Sequence, residues 1–317
     1  MTETERHTVL ILGAGASVAY GLPTGTELVN AICREFPNYS VQVKWFHLSP
    51  EQASARAKNL CDALNGAGTR SIDGFLEFRE DLRLDGAIAI ALALLCRERP
   101  QTLSNANSAN TDNWYREFIE WLSPSPDVKF PATRVSVITC NYDRSLEQYM
   151  YVALKNRFRD STDQKIAQLM DEVPIIHVHG SFGRLPWQRG ETKAVPYGWE
   201  DVIRYPELIW QAARSIMIAF DPLIEKSDDL QRARAVLATA THIIFLGFGY
   251  DERNIRRLFD PNPIVAGHVH VVGTAFGLNK LEVRDATNML KRCVVESFVE
   301  LRPLKNCEFV RQTACFR

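Results

Sequence analysis

Residues 8–17 read TVLILGAGAS, an apolar run that leads directly into a glycine-rich turn. A run of aliphatic and β-branched residues without polar alternation predicts a strand that is buried on both faces. In a turn from a first strand towards a helix, glycine lets backbone N–H groups approach phosphate oxygens, and the helix dipole favours their negative charge. Gly13 and Gly15 are therefore candidate phosphate-binding residues.

Four later runs have the same near-continuous apolar character, and none is followed by a tight hairpin turn. The runs are Val135–Thr139, Val173–Val178, His242–Leu246 and His268–Val272. This pattern is typical of parallel strands that are covered by helices on both faces of a sheet. We therefore predict an α/β fold, a doubly wound Rossmann-like parallel sheet with an inserted small helical domain.

The segment between the first two runs has helical rather than strand patterns. Thr24 and Glu27 have the spacing of a helix capping box. The apolar residues 86–96 fall short of the roughly 20 that cross a membrane, so we expect a buried core helix there. We assign residues 1–37 and 132–317 to the Rossmann-like domain and residues 38–131 to the helical insert. Two structures stay open for residues 302–317, a docking tail and an edge strand.

The composition is that of an ordinary globular protein with balanced charge. Lys and Arg number 37 against 38 Asp and Glu, so there is no overall attraction to nucleic acid or to an anionic membrane. The polar N-terminus lacks a signal-peptide pattern, and the seven cysteines include no Cys-x-x-Cys zinc spacing. We therefore expect a cytoplasmic protein that uses no metal and binds neither nucleic acid nor membrane directly.

Polar residues follow the second predicted strand in the stretch TCNYD, residues 139–143. Ligands of open α/β sheets bind at the carboxyl ends of the strands, where Thr139, Asn141 and Asp143 would lie. Asn and Asp side chains there can hydrogen-bond a ribose, although Asn-Tyr-Asp is also an ordinary turn sequence. The position at a strand end favours the ligand-binding interpretation.

The third predicted strand runs into HVHGS, residues 177–181. Histidines two residues apart on a strand share a face, but no third metal ligand of matching spacing accompanies them. We therefore favour proton transfer by His179, because a neutral imidazole is a competent base near pH 7. His179 is expected to protrude into the cleft, with His177 sequestered near the sheet.

The fourth predicted strand is followed by GFGYD, residues 247–251. Gly247 and Gly249 would let a cofactor lie against the backbone. A dehydrogenase is disfavoured, because the dinucleotide fingerprint requires a third glycine where this chain has Val18.

Taken in this order, the four segments resemble the sirtuin family. GAGAS followed by Gly21-Leu22-Pro23 resembles the family's Gly-Ala-Gly-x-Ser and Gly-Ile-Pro motifs, and TCNYD resembles its Thr-Gln-Asn-Ile-Asp. His179-Gly180 matches its His-Gly, and the turn with Gly247 and Gly249 takes the place of its later Gly-Thr-Ser. The specificity of the likeness comes from the ordered set of segments.

Two departures separate the chain from the family's protein deacylases. Thr24-Gly25-Thr26 stands where they carry Asp-Phe-Arg, and their four-cysteine zinc module has no counterpart in the cysteine spacing. With SIDGFL at residues 71–76, the chain resembles a branch of bacterial sirtuin-like proteins in anti-phage defence. That branch implies an NAD⁺ hydrolase (NADase), which cleaves the nicotinamide–ribose bond, releases nicotinamide and ADP-ribose, and depletes NAD⁺ in abortive infection.

The resemblance also implies a role for each matched residue, with NAD⁺ as the substrate. Asn141 and His179 would be catalytic, the first by positioning ribose or the attacking water and the second by accepting a proton. The residues implied to bind NAD⁺ are Gly13, Ala14, Gly15, Ser17, Thr139, Asp143, Gly247 and Gly249.

Two other functions stay open at this point. One is an NAD-dependent protein deacylase with the same catalytic residues, and the other is a non-catalytic module that senses NAD⁺ or ADP-ribose. An enzyme that destroys an essential cofactor must be silent until it is needed, so we expect control by assembly. The resemblance implies a homo-oligomer and a partner protein such as a HerA-type hexameric ATPase.

Overall fold

The computed structural model describes residues 6–39, 48–105, 112–125, 127–158, 161–198, 200, 205–218, 222–260, 269–294, 297–313 and 316. The strands are β1 (His7–Leu12), β2 (Arg134–Thr139), β3 (Ile175–His177), β4 (His242–Leu246), β5 (His270–Thr274) and β6 (Phe298–Arg302). They form one parallel sheet in the order β3-β2-β1-β4-β5-β6. The predicted α/β fold with a doubly wound, Rossmann-like parallel sheet is confirmed.

Each of the five predicted runs overlaps a strand. β4 has the predicted limits, whereas β3 is only three residues long and Val178 already lies in the following turn. β5 begins at His270, two residues later than predicted, and His268 lies outside the described residues.

The sixth strand was not predicted. β6 reads FVELR, and its residues are exposed or only partly buried because it pairs with β5 alone, at the edge of the sheet. An edge strand does not need the continuous apolar run by which the inner strands are recognised. Of residues 302–317, the first ends β6, and residues 306–312 form a helix.

Helices connect the strands. In chain order they are α1 (Gly25–Tyr39), α2 (Pro50–Ala67), α3 (Ile72–Phe78), α4 (Arg83–Leu95), α5 (Pro100–Asn105), α6 (Trp114–Leu122), α7 (Ser145–Arg157), α8 (Asp163–Asp171), α9 (Pro206–Ser215), α10 (Asp228–Leu237), α11 (Glu252–Phe259), α12 (Lys280–Cys293) and α13 (Asn306–Gln312). α1 begins directly after Thr24, whose N–H and hydroxyl both donate to Glu27, so the predicted helix start is confirmed.

Alternate residues of the inner strands enter two separate apolar cores. On β1, Leu10 and Leu12 lie in a core with α6, α7, α8 and α13, whereas Val9 and Ile11 lie in one with α10, α11 and α12. Helices thus cover both faces of the sheet, which explains why the inner strands show no apolar–polar alternation.

A third apolar core contains residues of helices and loops but none of the strands. It contains residues of α1 to α4 together with α9, which comes from the segment between β3 and β4 and packs against α4. α6, by contrast, packs against α7 and α13 over the sheet. The helical core therefore draws on two parts of the chain, and residues 38–131 as a domain of their own stay a prediction.

α4 is the core helix that the apolar residues 86–96 predicted. Every residue from Asp85 to Leu95 is buried. Within the described part of the chain, no helix is long and apolar enough to cross a membrane.

The glycine turns after β1 and β4 pack against each other without intervening side chains. The N–H of Gly15 donates to the carbonyl oxygen of Gly247 over 2.9 Å. Gly247 has a φ of +57°, and a Cβ atom there would lie 1.9 Å from the backbone nitrogen of Ala16. Gly249, two residues later, has no atom of another described residue within 4 Å of its Cβ position. The first glycine is required by the fold and the second is not.

We expect Gly247→Ala to lower the free energy of unfolding by about 3 kcal/mol or more, because the backbone is left-handed and the space is already filled. Gly249→Ala is the matched control and should change it by about 0.5 kcal/mol or less. Urea denaturation of both variants measures this difference. Equal stability of the two variants would contradict the close contact between the turns.

Candidate functional site

A cavity of about 560 Å³ opens at the carboxyl ends of β1, β4 and β5. The strand order reverses between β1 and β4, and open α/β sheets bind ligands at such switch points. The volume lies in the ~300–1,000 Å³ range of small-molecule sites. Four of the predicted NAD⁺-binding residues line it, namely Ala14, Gly15, Gly247 and Gly249.

The turn after β1 is not an open cradle of N–H groups. It continues as two short 3₁₀ turns, and α1 starts only after a further loop. The N–H groups of Gly13, Gly15, Ala16 and Ser17 all donate to backbone carbonyl oxygens of the protein. The expected approach of phosphate to the N–H groups of Gly13 and Gly15 is therefore blocked here. Ala14 and Gly15 instead provide a small-residue wall of the cavity.

Asn141 is held in a defined orientation. Its Nδ2 donates to the carbonyl oxygen of Gly13 over 3.0 Å and to Ser17 Oγ over 3.2 Å, and its backbone N–H donates to Thr139 Oγ1 over 3.0 Å. A carbonyl oxygen only accepts hydrogen bonds, so the amide nitrogen must be the atom that faces Gly13. Asn141 Oδ1 makes no hydrogen bond to a described residue and is the free acceptor of this side chain.

Ser17 connects Asn141 to a buried carboxyl group. Ser17 Oγ donates to Asp143 Oδ2 over 2.9 Å, and the N–H of Ser145 donates to Asp143 Oδ1 over 3.1 Å. Burial raises the pKa of Asp143, and these hydrogen bonds oppose that rise. The contacts of Asp143 orient its neighbours, and its contact with a ribose stays a prediction.

His177 has partners on both ring nitrogens. Nδ1 lies 2.8 Å from the carbonyl oxygen of Asn141, and Nε2 lies 2.6 Å from Oε1 of Glu147. Burial disfavours a charged ring, but the negative charge and hydrogen bond of Glu147 outweigh it and raise the pKa of His177. His177 is thus sequestered near the sheet, as expected.

His179 does not protrude into a cleft, so that expectation was wrong. Its exposure is 2 %, its ring packs against Tyr142, and its Nδ1 has no hydrogen-bond partner among the described residues. Burial, assisted by the positive charge of Arg257, lowers the pKa of His179 to about 4, although the amide of Asn254 favours the charged form. His179 is therefore a neutral, covered imidazole at pH 7.

The helical core supplies the cover of this histidine. The hydroxyl of Tyr142 lies 2.8 Å from Oδ1 of Asp73 on α3 and 3.2 Å from the carbonyl oxygen of Met217. Arg253 on α11 forms an ion pair of 2.8 Å with Glu77 on α3. α3, which carries most of the SIDGFL segment, is therefore tied to two elements beside His179.

The predicted site residues form two groups. Ser17, Thr139, Asn141 and Asp143 surround a small pocket, whereas the other group lines the 560 Å³ cavity. Gly13 connects the groups, because its carbonyl oxygen binds Asn141 and the next residue lines the cavity. No hydrogen bond between described residues joins His179 to Asn141. The described residues also contain no cluster of three His, Cys, Asp or Glu side chains that could hold a metal ion.

Several residues that line the cavity were not predicted to bind NAD⁺, and four of them are the polar residues Asp112, Thr274, Lys305 and Asn306. Thr274 Oγ1 accepts the N–H of the β4 turn over 2.8 Å, and Asn306 Nδ2 donates to the carbonyl oxygen of Gly15 over 3.0 Å. Thr274 ends β5, and that position alone could have indicated it. The other three come from distant loops and the C-terminal helix, and no local pattern marks them.

A comparison with known protein families gives one match, to part of the chain. Residues 135–262 match the family model described as SIR2-like domain, which covers Asn141, His179 and the β4 glycine turn but not the turn after β1. No curated protein matches the chain. The match confirms the sirtuin-like resemblance and supports an NAD-related function of the sirtuin type.

We expect His179 to titrate with a pKa of about 4 in the folded chain, against 6.5 in the unfolded chain. Because the unfolded state binds the proton first, this histidine costs stability as the pH falls from 6.5 towards 4. Over that range, wild type should lose more stability than His179→Phe. Histidine NMR and urea denaturation measure the two effects, and an ordinary His179 pKa would contradict the burial.

Proposed function

We propose that this chain, which is sirtuin-like over residues 135–262, hydrolyses NAD⁺ to nicotinamide and ADP-ribose. The observation that carries the proposal is the fixed amide of Asn141. Its nitrogen is bound to Gly13 and Ser17, and its oxygen is left as a free acceptor beside the glycine turn of the cavity.

In this proposal the free Oδ1 of Asn141 accepts a hydrogen bond from a ribose hydroxyl or from the attacking water. Cleavage of the nicotinamide–ribose bond proceeds through an oxocarbenium-like state, to which the nucleophile must be held at attack distance. Orientation of this kind can remove several kcal/mol of the barrier. The hydrogen bonds to Gly13 and Ser17 keep the amide from rotating, so the acceptor is in place before the substrate arrives.

The adenosine diphosphate part of NAD⁺ would occupy the 560 Å³ cavity. Lys305 at the cavity wall supplies positive charge for the diphosphate, and Gly249 leaves room for the ligand at the backbone. The nicotinamide ribose would then extend past Gly13 towards Asn141. The cavity is the observation that supports the place given to the adenosine diphosphate part. The hydrogen bonds of Asn141 support the place given to the nicotinamide ribose.

His179 would accept the proton through the buried Nδ1, which has no hydrogen-bond partner among the residues that the structure describes. Its pKa of about 4 makes it a weak base in the covered state, whereas a general base works best with a pKa near the working pH. Displacement of Tyr142 and Asp73 by the substrate would rehydrate the ring and raise this pKa. The proposal therefore includes movement of α3 on binding.

Two wider proposals rest on the resemblance rather than on contacts in the chain. The first is that NAD⁺ depletion serves anti-phage defence. The second is that activity is controlled in a homo-oligomer or by a partner such as a HerA-type hexameric ATPase. Sedimentation of the chain alone as a stable monomer would contradict control within a homo-oligomer.

We expect Asn141→Ala and His179→Ala each to lower kcat for nicotinamide release by about 10²-fold or more, because each removes a group that contacts the reacting ribose or water. Matched controls are Asn156→Ala and His270→Ala, two exposed residues that should leave kcat unchanged. Wild-type rates in either site variant would contradict its role.

Product analysis by mass spectrometry separates the proposed function from the alternatives. ADP-ribose formed from NAD⁺ and water supports hydrolysis. O-acyl-ADP-ribose, formed only when an acyl-lysine peptide is added, would identify a deacylase. Binding of NAD⁺ without release of nicotinamide, alone or with the ATPase, would identify a sensing module.

A further inference from the structure

The geometry around His177 determines where its protons lie. Nδ1 faces the backbone carbonyl oxygen of Asn141 at 2.8 Å, and Nε2 faces a carboxyl oxygen of Glu147 at 2.6 Å. A carbonyl oxygen can only accept, so Nδ1 must carry a hydrogen. A hydrogen must also lie between Nε2 and the carboxyl oxygen, since two lone pairs at 2.6 Å would repel each other.

We propose that His177 and Glu147 form a buried imidazolium–carboxylate pair that positions the backbone of Asn141 for NAD⁺ cleavage. The proposal rests on the proposed function for its last step only. The side chains of His177 and Glu147 are 11 % and 7 % exposed, so their hydrogen bonds compete little with water. A charged N–H donor also makes a shorter and stronger bond to a carbonyl oxygen than a neutral one does.

The charges near the ring favour the protonated form. Glu147 lies on α7, and Asp143 lies in the loop after β2. Both carboxyl groups raise the pKa of His177, whereas burial lowers it. On the strand itself, His177 is in register with Thr139 of β2, which carries no charge. The groups around the ring therefore stabilise the imidazolium form of His177.

His177 anchors the carbonyl oxygen of Asn141, and Thr139 already anchors the N–H of that residue. Thr139 Oγ1 accepts the N–H of Asn141 while His177 donates to its carbonyl oxygen, so both flanking peptide groups are anchored. The side-chain amide bound to Gly13 and Ser17 then has a rigid base. His177 and Glu147 are thus positioning residues, and neither needs to touch the substrate.

The test compares wild type with Glu147→Gln and Glu147→Asp. For the nicotinamide-release reaction, Glu147→Gln should lower kcat about tenfold or more with KM changed less than about twofold, because placement of the reacting group is lost and the cavity is intact. Glu147→Asp keeps the charge and should recover part of kcat. His7→Gln is the control, since His7 is another buried histidine, bonded to Ser136 and Thr239, and its loss should leave kcat unchanged.

The pH dependence of kcat is a second readout. A His177–Glu147 pair with only a structural role would not change it. A histidine with a raised pKa is charged below that pKa and loses its proton as the pH rises through it. The kcat of wild type should therefore fall on the alkaline side with a pKa above 6.5. In Glu147→Gln this limb should move to a lower pH, because the carboxylate that raises the pKa of His177 is gone. An unchanged profile or an unchanged kcat in Glu147→Gln would overturn the proposal.

Nitrogen-15 NMR of the histidine rings decides the charge state without any activity. In wild type at pH 7 both ring nitrogens of His177 should be protonated, and in Glu147→Gln one should not. The carbonyl carbon-13 shift of Asn141 should change with it. A neutral His177 in wild type would overturn the proposal even if NAD⁺ is cleaved. If wild type cleaves no NAD⁺ but His177 is charged, the proposed function fails and the pair is retained as a structural device only.

Discussion

The contact between two glycine turns is the constraint on which the rest of the site depends. The N–H of Gly15 binds the carbonyl oxygen of Gly247, and the space between the turns leaves no room for a Cβ atom at Gly247. This contact joins the ends of β1 and β4 where the strand order reverses. It therefore places the cavity on one side, while the carbonyl oxygen of Gly13 holds the amide of Asn141 on the other. The proposed nucleotide site therefore depends on a packing contact that the backbone alone makes.

The two ends of the site are in different states. The cavity is open and has one wall of small residues, whereas the proposed reactive end is closed by α3 through Tyr142 and Asp73. His179 is buried there, and one of its ring nitrogens has no hydrogen-bond partner within the described part of the chain. A buried polar atom without a partner costs free energy, which a hydrogen bond from a ligand hydroxyl would offset. Such an arrangement suits an enzyme that must not consume its substrate until binding or assembly moves the cover. Turnover would then depend on the helical core as well as on the sheet.

Much of the fold could be predicted because inner parallel strands have continuous apolar runs, as in Thr8–Leu12 and His242–Leu246. β6 escaped prediction because an edge strand lacks that pattern. The position of Asn141 at a strand end was enough to indicate it from the sequence. The partners that hold the site's residues and their neighbours in place come from distant parts of the chain. Glu98, for example, forms a buried ion pair with Arg144, 46 residues later, and no local spacing relates them. Asn306 reaches the first glycine turn only through tertiary packing.

Nicotinamide release by wild type and by Gly249→Leu tests most directly whether the cavity and Asn141 form one NAD⁺ site. A Cβ at Gly249 meets no atom of the described residues within 4 Å, so the leucine should fill the cavity without disturbing the fold. We predict that wild type releases nicotinamide and that Gly249→Leu raises KM about tenfold or more. No release by wild type with or without a partner ATPase, or an unchanged KM in a folded Gly249→Leu, would contradict the account.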